Sequence, residues 1–568
     1  MRNNWKLSAL VVGFGLALAA NVFGQASAIN GEITGTVTDP SGAAVSGATV
    51  QISNTDTGFK QSAKTGDAGL YRFAVLPLGT YAVEVQAPGF GTIRRTGIAL
   101  SAGATATVDV TVNVAGTTTM VDVTASAAIT EPSRIDLGST LSENMTRNLP
   151  LVSRNPYNFI LFQPNVSGRA NTEFGVPRKI NANGFNGRIN YQLDGSNNTE
   201  SDRAGIRLIP ISNIYVAEVQ QVSNGFAPEF GNTVGTVFNT VTKSGANEYH
   251  GEGAYLFRRT NFSARPKLLS STALVPEVNV DSYSVDGGGR VIKDKLFFFG
   301  GFEHVKRDLP GVVTVSAANI AALGLPASYG DPVPFRQSVY FYMGKGDWQI
   351  NAKNRLSVRY THHANDSPYN SSTIGQTTLV SQSYAFVDRS HAGGVQLVSI
   401  INDHIVNELR AQVAYRGQHN DPFEASGTGP VLTVSGIANF GGPTFGGLRV
   451  YEETTPELAD NFSYLRGSHA LKFGFSTHAI RDTQVQATYA QYNFASIAAY
   501  QAAVNGLAPK LRAGFLEAAA QPDRDLRPAL RPLPNAGSGQ DVAVHLLAKL
   551  PDRQEQLRPA PGICLGPG

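Results

Sequence analysis

From Asn247 onward the chain alternates apolar and polar residues in run after run, and this period of two constrains its fold more than any other feature. Leu356, Val358 and Tyr360 oppose Ser357, Arg359 and Thr361; Leu409, Ala411, Val413 and Tyr415 oppose Glu408, Arg410, Gln412 and Arg416; Leu471, Phe473 and Phe475 oppose Lys472, Gly474 and Ser476. Successive side chains of an extended strand point to opposite faces, so each run offers one apolar and one polar surface. The apolar surface suits lipid and the polar one a wet lumen. Lys293-Asp294-Lys295, Ala352-Lys353-Asn354 and Arg466-Gly467-Ser468 read as turns between strands, with Tyr and Phe near the strand ends where an aromatic girdle would lie.

The N-terminus reads as an export signal. Arg2 and Lys6 are basic, Leu7 to Ala20 form an apolar core, and Ala26-Ser27-Ala28 offers a small-x-small cleavage site, so residues 1–28 are expected to be removed after Ala28. The apolar run falls short of the roughly 20 residues that a spanning helix needs. Downstream, no segment reaches that length without polar interruption. An exported chain of this kind still enters a membrane if its strands close into a barrel.

At 568 residues the chain exceeds a single core and is expected to divide into domains. Low charge, abundant glycine, 20 tyrosines and 29 phenylalanines favour a β-rich protein with many turns. A net charge of +3 makes no case for nucleic acid. Cys564 is the only cysteine, which excludes an intrachain disulfide, a thiolate metal site and a CxxC redox motif.

Residues 29–113 read as a small antiparallel sandwich. Ile33 and Val37 alternate with threonines, Tyr81, Val83 and Val85 repeat the period of two, and Val108, Val110 and Val112 alternate with Asp109 and Thr111. Asp39-Pro40-Ser41-Gly42 and Thr65-Gly66-Asp67-Ala68-Gly69 are turns by residue type. GTVTDPSGAAVSGATV followed by TGDAGLYRFAVLPLGTYAVEVQAPGF resembles the carboxypeptidase regulatory-like domain, a transthyretin-like sandwich also grouped with carbohydrate-binding-like folds. The segment has no HExxH and no histidine, so it cannot cut peptides; on this resemblance it is a structural or docking module, with glycan binding as the alternative.

Residues 114–130 read VAGTTTMVDVTASAAIT, and Met120 to Ala125 resembles the TonB box of TonB-dependent outer-membrane receptors. The resemblance implies that Val121, Asp122, Val123, Thr124 and Ala125 are presented to TonB, the energy-transducing partner at the inner membrane. An accessible β-prone strand can add to the edge of a partner's sheet through backbone hydrogen bonds, with little demand on side chains. Residues 131–245 then resemble the plug of that family: Asn148-Leu149-Pro150-Leu151, Arg154-Asn155, Gln163-Pro164-Asn165-Val166, Leu193-Asp194-Gly195 and Phe226-Ala227-Pro228-Glu229-Phe230-Gly231 occur in its order. The stretch Val216 to Gly251 resembles the end of the plug and the first barrel strand; Val234, Val237, Phe238 and Val241 put apolar groups on both faces, while Asn239, Thr240 and Lys243 keep it partly polar, as in a sheet covered by protein on both sides. Asp194 to Asp202 is rich in oxygen ligands but lacks the spacing and closing glutamate of an EF-hand, so it reads as an Asn/Asp-rich turn.

VIKDKLFFFGGFE at Val291 to Glu303 resembles the early barrel hairpin of Oar-like TonB-dependent transporters, which places residues 246–505 in a partial outer-membrane barrel. About ten barrel strands can be counted, against the roughly 22 of plugged outer-membrane transporters. After Tyr500 there is no Thr, Tyr or Trp, and residues 506–568 form a Pro/Arg/Ala-rich tail of the kind an out-of-frame end produces. The expectation is therefore a mainly β protein with an N-terminal sandwich, an α+β plug and the first part of an antiparallel transmembrane barrel, a truncated copy of an energised uptake receptor in the outer membrane. The resemblance implies an extracellular substrate such as a siderophore, a glycan or a peptide, and contact with outer-membrane lipid. A second reading is a surface protein for adhesion or protein export. His362-His363 and His391 lack a carboxylate at helical spacing and read as strand or loop histidines; GxSxG, P-loop and zinc motifs are absent, so neither catalysis nor a metal or other cofactor is expected.

Overall fold

The computed structural model describes residues 29–507 apart from 114–120, 125–136, 150–153, 169–179, 202–205, 265–276, 371–375, 422–429, 444–448, 487–489 and a few shorter gaps. Residues 1–28 and 508–568 lie outside the described residues, and with them the expected signal peptide and nearly all of the expected tail.

The first module is a sandwich of two sheets. Strand β1 (Gly31–Thr38) pairs antiparallel with β4 (Leu70–Leu76) and parallel with the short β7 (Thr105–Thr107) and β8 (Val110–Thr111). The facing sheet runs β3 (Lys60–Lys64), β2 (Thr49–Asn54), β5 (Gly79–Gln86), β6 (Ile93–Leu100) and β9 (Val121–Thr124). Ile33, Val37, Tyr81, Val83, Val85, Val110 and Val112 join one core between them, which is the face that their alternation assigns. Asp39 Oδ1 closes the first turn by accepting from the Ser41 and Ala43 amides, both at 2.9 Å.

A central module follows. Its sheet has the order β10 (Leu137–Ser142), β16 (Val216–Asn224), β17 (Thr236–Thr242), β14 (Ile189–Leu193) and β15 (Ser196–Asn197), and a small sheet of β11 (Val166–Ser167), β12 (Asn181–Ala182) and β13 (Phe185–Asn186) lies beside it. Every residue of β17 is buried, Asn239 and Thr240 as fully as Phe238, as expected of a sheet covered on both faces. Val234 is different: it precedes the strand in a turn and is exposed.

Ten strands build the third module: β18 (His250–Arg259), β19 (Asn279–Ile292), β20 (Leu296–Asp308), β21 (Arg336–Asn351), β22 (Asn354–Asn370), β23 (Tyr384–Asn402), β24 (Ile405–Asp421), β27 (Arg449–Arg466), β28 (His469–His478) and β29 (Arg481–Gln486). All pairings are antiparallel. The connections differ by end. Residues 293–295, 352–353, 403–404 and 467–468 are tight turns, while residues 260–278, 309–335, 371–383 and 422–448 are long. Short turns on one side and long loops on the other are the arrangement of outer-membrane barrels, whose short turns face the periplasm.

The outward face is apolar and exposed at Val358, Tyr360, Val395, Val413, Phe473 and Phe475. On it, Phe302, Tyr342, His362, His391 and Tyr415 stand opposite one another on five adjacent strands and form one continuous row. Ring centroids along the row are 5.1 Å for Phe302 and Tyr342, 5.7 Å for Tyr342 and His362, and 4.4 Å for His362 and His391. This is the girdle that the aromatic content anticipates, and it accounts for two of the three histidines singled out in the sequence.

Above the long loops, parts of 313–330, 376–383 and 431–441 join residues 491–504 in a separate apolar core around Leu323, Leu432, Phe440 and Tyr500. Strands β25 (Val431–Val434), β26 (Ala438–Gly441) and β30 (Gln491–Phe494) and the helix Ile497–Asn505 frame it. Residues 491–505 thus belong to this cap and not to the ten-stranded sheet.

Val413 lies midway along β24 on the outward face. Val413→Arg is expected to cost about 2–4 kcal/mol, the range for a charge facing lipid near the midplane. Urea unfolding of the full chain in lipid vesicles measures this; no loss of stability would show that this face does not meet hydrocarbon.

Candidate functional site

The polar face of the barrel sheet does not line a wet lumen, as its alternation alone suggested. The central module fills the space, and the inward polar residues of the wall are its hydrogen-bond and ion-pair partners. The alternation fixes that these side chains point inward; it carries no information about what occupies the interior.

The tightest grip is on one hairpin. Asp194 (φ 48°) and Gly195 (φ 69°) make the two-residue turn between β14 and β15, the left-handed pair that Asp-Gly favours. Three wall strands converge on it. Arg359 Nη1 on β22 donates to Asp194 Oδ2 at 2.6 Å and to the Leu193 carbonyl at 3.1 Å. Arg410 Nη1 and Gln412 Nε2 on β24 donate to the carbonyls of Gly195 and Asn197 at 2.9 and 2.8 Å. On β27, Glu457 Oε2 accepts from the Asn197 amide at 2.7 Å.

Asp194 also ties the hairpin to its own sheet, accepting from Thr242 N and Thr242 Oγ1, both at 2.7 Å, while Lys345 Nζ donates to the Thr242 carbonyl at 3.3 Å. Burial alone would raise the Asp194 carboxyl, but Lys345, Arg359 and the Thr242 bonds outweigh it and hold the pKa at about 2. The acidic run is therefore a structural turn whose first carboxylate is already taken. Among the described residues no group of three or more His, Cys, Asp or Glu could hold a metal ion.

A second tier lies toward the long loops. Arg416 on β24 makes a two-pronged pair with Asp388 on β23 (Nε to Oδ1 3.1 Å, Nη2 to Oδ2 2.9 Å) and donates from Nη1 to the Arg207 carbonyl at 3.0 Å. Glu453 accepts from the Ser201 amide at 3.1 Å. Arg207 itself is fully buried, with its guanidinium 5.2 Å from the centre of the Tyr157 ring. At the other margin Lys472 pairs with Glu229 at 2.6 Å, and Lys243 pairs with Glu143 at 2.9 Å. Of these partners, Arg359, Arg410, Gln412, Arg416 and Lys472 were legible as inward positions; Arg207, Glu453 and Glu457 carried no recognisable signal beyond their charge.

The segment expected to engage TonB stands elsewhere. Val121–Thr124 forms β9, parallel to β6 in the register Ile93 with Val121 through Thr96 with Thr124. It is the last strand of the sandwich's five-stranded sheet, so one backbone edge is paired and the other is an end of the sheet. Ala125 lies outside the described residues.

Comparison with known proteins identifies this arrangement. Residues 32–113 match the carboxypeptidase regulatory-like domain, and residues 241–324 and 314–516 match the outer membrane beta barrel domain. The TonB-dependent transporter Oar of Myxococcus xanthus is 25% identical over 403 residues, which are 66% of this chain and 36% of that protein. The chain is a homologue of that transporter. It spans about a third of the transporter's length and is an outer-membrane protein by its barrel domain. Among solved structures, the outer membrane transporter YddB from Escherichia coli is 13% identical with a TM-score of 0.47, covering 61% of this chain and 48% of its own. The siderophore receptor PirA from Acinetobacter baumannii is 14% identical with a TM-score of 0.42, covering 62% of this chain and 49% of its own.

The Asp194 pKa sets a pH window. Because it is held below the ordinary 3.8, its stabilisation is fully present above about pH 4 and is lost as pH falls toward 2, a change of about 2 kcal/mol. Resistance of the central module to limited proteolysis should fall across that window, and Asp194→Asn should flatten the dependence while lowering resistance at neutral pH. Arg359→Ala, which leaves the carboxylate buried beside Lys345 alone, is expected to cost about 3–5 kcal/mol by the same assay. A variant as resistant as the parent would remove this grip from the account.

Proposed function

We propose that the chain carries the plug, gating and energy-coupling segments of a TonB-dependent uptake receptor of the outer membrane. The observation that carries this reading is the hairpin at Asp194 to Asn197, held from three wall strands inside the barrel sheet and preceded in the chain by an extended edge strand at Val121–Thr124. The central module is the plug, seated by charge-assisted bonds that are strong in a low-dielectric interior yet reversible.

Transport, not catalysis, follows from this geometry. A ligand reaching the plug from the side of the long loops meets the cap and the second tier at Arg207, Arg416 and Asp388. Tension on residues 121–125 from the periplasm then works against the grip on the hairpin. Val121, Asp122, Val123, Thr124 and Ala125 serve as the TonB contact, mainly through backbone, and the substrate is a siderophore, a glycan or a peptide. The relatives support the reading: Oar is a TonB-dependent transporter, and PirA is a siderophore receptor.

Proline lacks the backbone donor that strand addition needs. Val123→Pro is therefore expected to abolish capture of the full chain by the periplasmic domain of TonB, measured by co-purification from outer-membrane extracts, whereas Val121→Ala should leave capture within about twofold because side chains contribute little. Equal capture of the Val123→Pro and parent proteins would exclude this segment as the contact.

A further inference from the structure

The sandwich is docked on the periplasmic mouth of the barrel, and its contacts converge on the short-turn end. Arg355 Nη2 donates to Asn30 Oδ1 at 2.8 Å, and Asn30 Nδ2 donates to Glu408 Oε1 at 3.2 Å. The Asn247 amide donates to the Asp56 carbonyl at 2.8 Å, beside the 293–295 turn. Ala102 N donates to Glu218 Oε2 of the plug at 2.8 Å. Ala74 and Val75 pack with Val398 and Val406 in a small apolar cluster. Val75 holds a φ of 57°, a conformation that β-branched residues adopt only where their surroundings impose it, and the barrel seat is part of those surroundings.

The fit between sandwich, plug and wall is not dry. A cavity of ≈ 690 Å3 remains among them, bordered by Asp56, Lys243, Asp286 and Arg355. Walls that carry both charges hold water, and small, polar, hydrated seats are those across which domains separate. The same domain carries the coupling strand. Pairing of β9 with β6 leaves one edge of residues 121–124 at the end of the sheet, where an incoming strand can add without displacing it. Tension on that strand passes through the parallel ladder into β6 and so into the whole sandwich.

We propose that the N-terminal sandwich is a second, periplasmic gate beneath the plug, closed by its seat on the barrel floor and opened by the same pull that engages residues 121–124. The inference rests on the transport reading and assigns to this domain a function that its carbohydrate-binding-like fold does not.

The test is reagent access to the cavity in outer-membrane fractions containing the full chain. Ala217 lines the cavity on β16 and is half-buried, so Ala217→Cys with Cys564→Ser gives one reporter thiol for a maleimide carrying a long polyethylene glycol. The gate is locked by Gly58→Cys with Asp294→Cys, since a Cβ at Gly58 would stand 3.3 Å from Asp294 Cβ, close to disulfide range. It is loosened from the barrel side, leaving the sandwich core intact, by Val398→Asp with Val406→Asp, and more gently by Asn30→Ala.

Labelling is expected to be about tenfold slower in the oxidised lock than after reduction, and about tenfold faster in the loosened pair than in the parent. Equal rates in the parent, the loosened pair and Asn30→Ala overturn the gate, whether or not the disulfide forms. The assay needs neither substrate nor TonB, so failure of the transport reading would appear separately, as unchanged labelling differences with no capture of TonB.

Discussion

The structure depends on charges that point into a barrel and must be neutralised there. Alternation sends every second side chain of the ten-stranded sheet inward, and those positions include Arg359, Arg410, Arg416, Asp388 and Glu457. Their hydrogen bonds and ion pairs run to the central module or between neighbouring wall strands. An arginine or carboxylate left buried and unpaired would cost several kcal/mol, so wall and module stabilise one another. The Asp194-Gly195 turn is where this dependence concentrates, because a two-residue hairpin exposes its carbonyls and amides to several wall strands at once. The same geometry explains why a plug can be firmly seated and still leave: every bond in the grip is polar, and water can replace it.

Around this axis the molecule is built in tiers. Long loops fold into a cap with a core of its own at one end, so their tips are coupled through Leu323, Leu432, Phe440 and Tyr500. At the other end the sandwich sits on tight turns through a handful of polar bonds and one apolar contact. The cap has a continuous apolar core and the sandwich seat does not, which gives the two ends different tendencies to open.

Much of this was legible from residue order. The outward and inward faces at 356–361, 408–416 and 471–476 were fixed by period two, because strand geometry leaves no other choice. The tight turns at 293–295, 352–354 and 466–468 followed from their residue types, and the twofold coverage of β17 from its lack of alternation. The Asp-Gly turn was legible as a turn, but its role as the anchor of the plug was not. That role depends on Arg359, Arg410 and Glu457, some 160 to 260 positions later in the chain, whose convergence is set by how the sheet curls. The wet lumen was misjudged for the same reason: polarity shows that a face avoids lipid and does not distinguish water from protein.

By itself the sequence determined the class of structure: extended strands with one apolar face, a glycine-punctuated sandwich and a fully buried sheet between them. These are local properties, set by side-chain alternation and turn stereochemistry within a few residues. Only the tertiary structure decided which charges meet, that the loops close into one cap, that His362 and His391 belong to an outward aromatic row, and that residues 121–124 ride on the edge of the sandwich. Each of those depends on pairing between distant segments, where register and curvature, not local preference, select the partner.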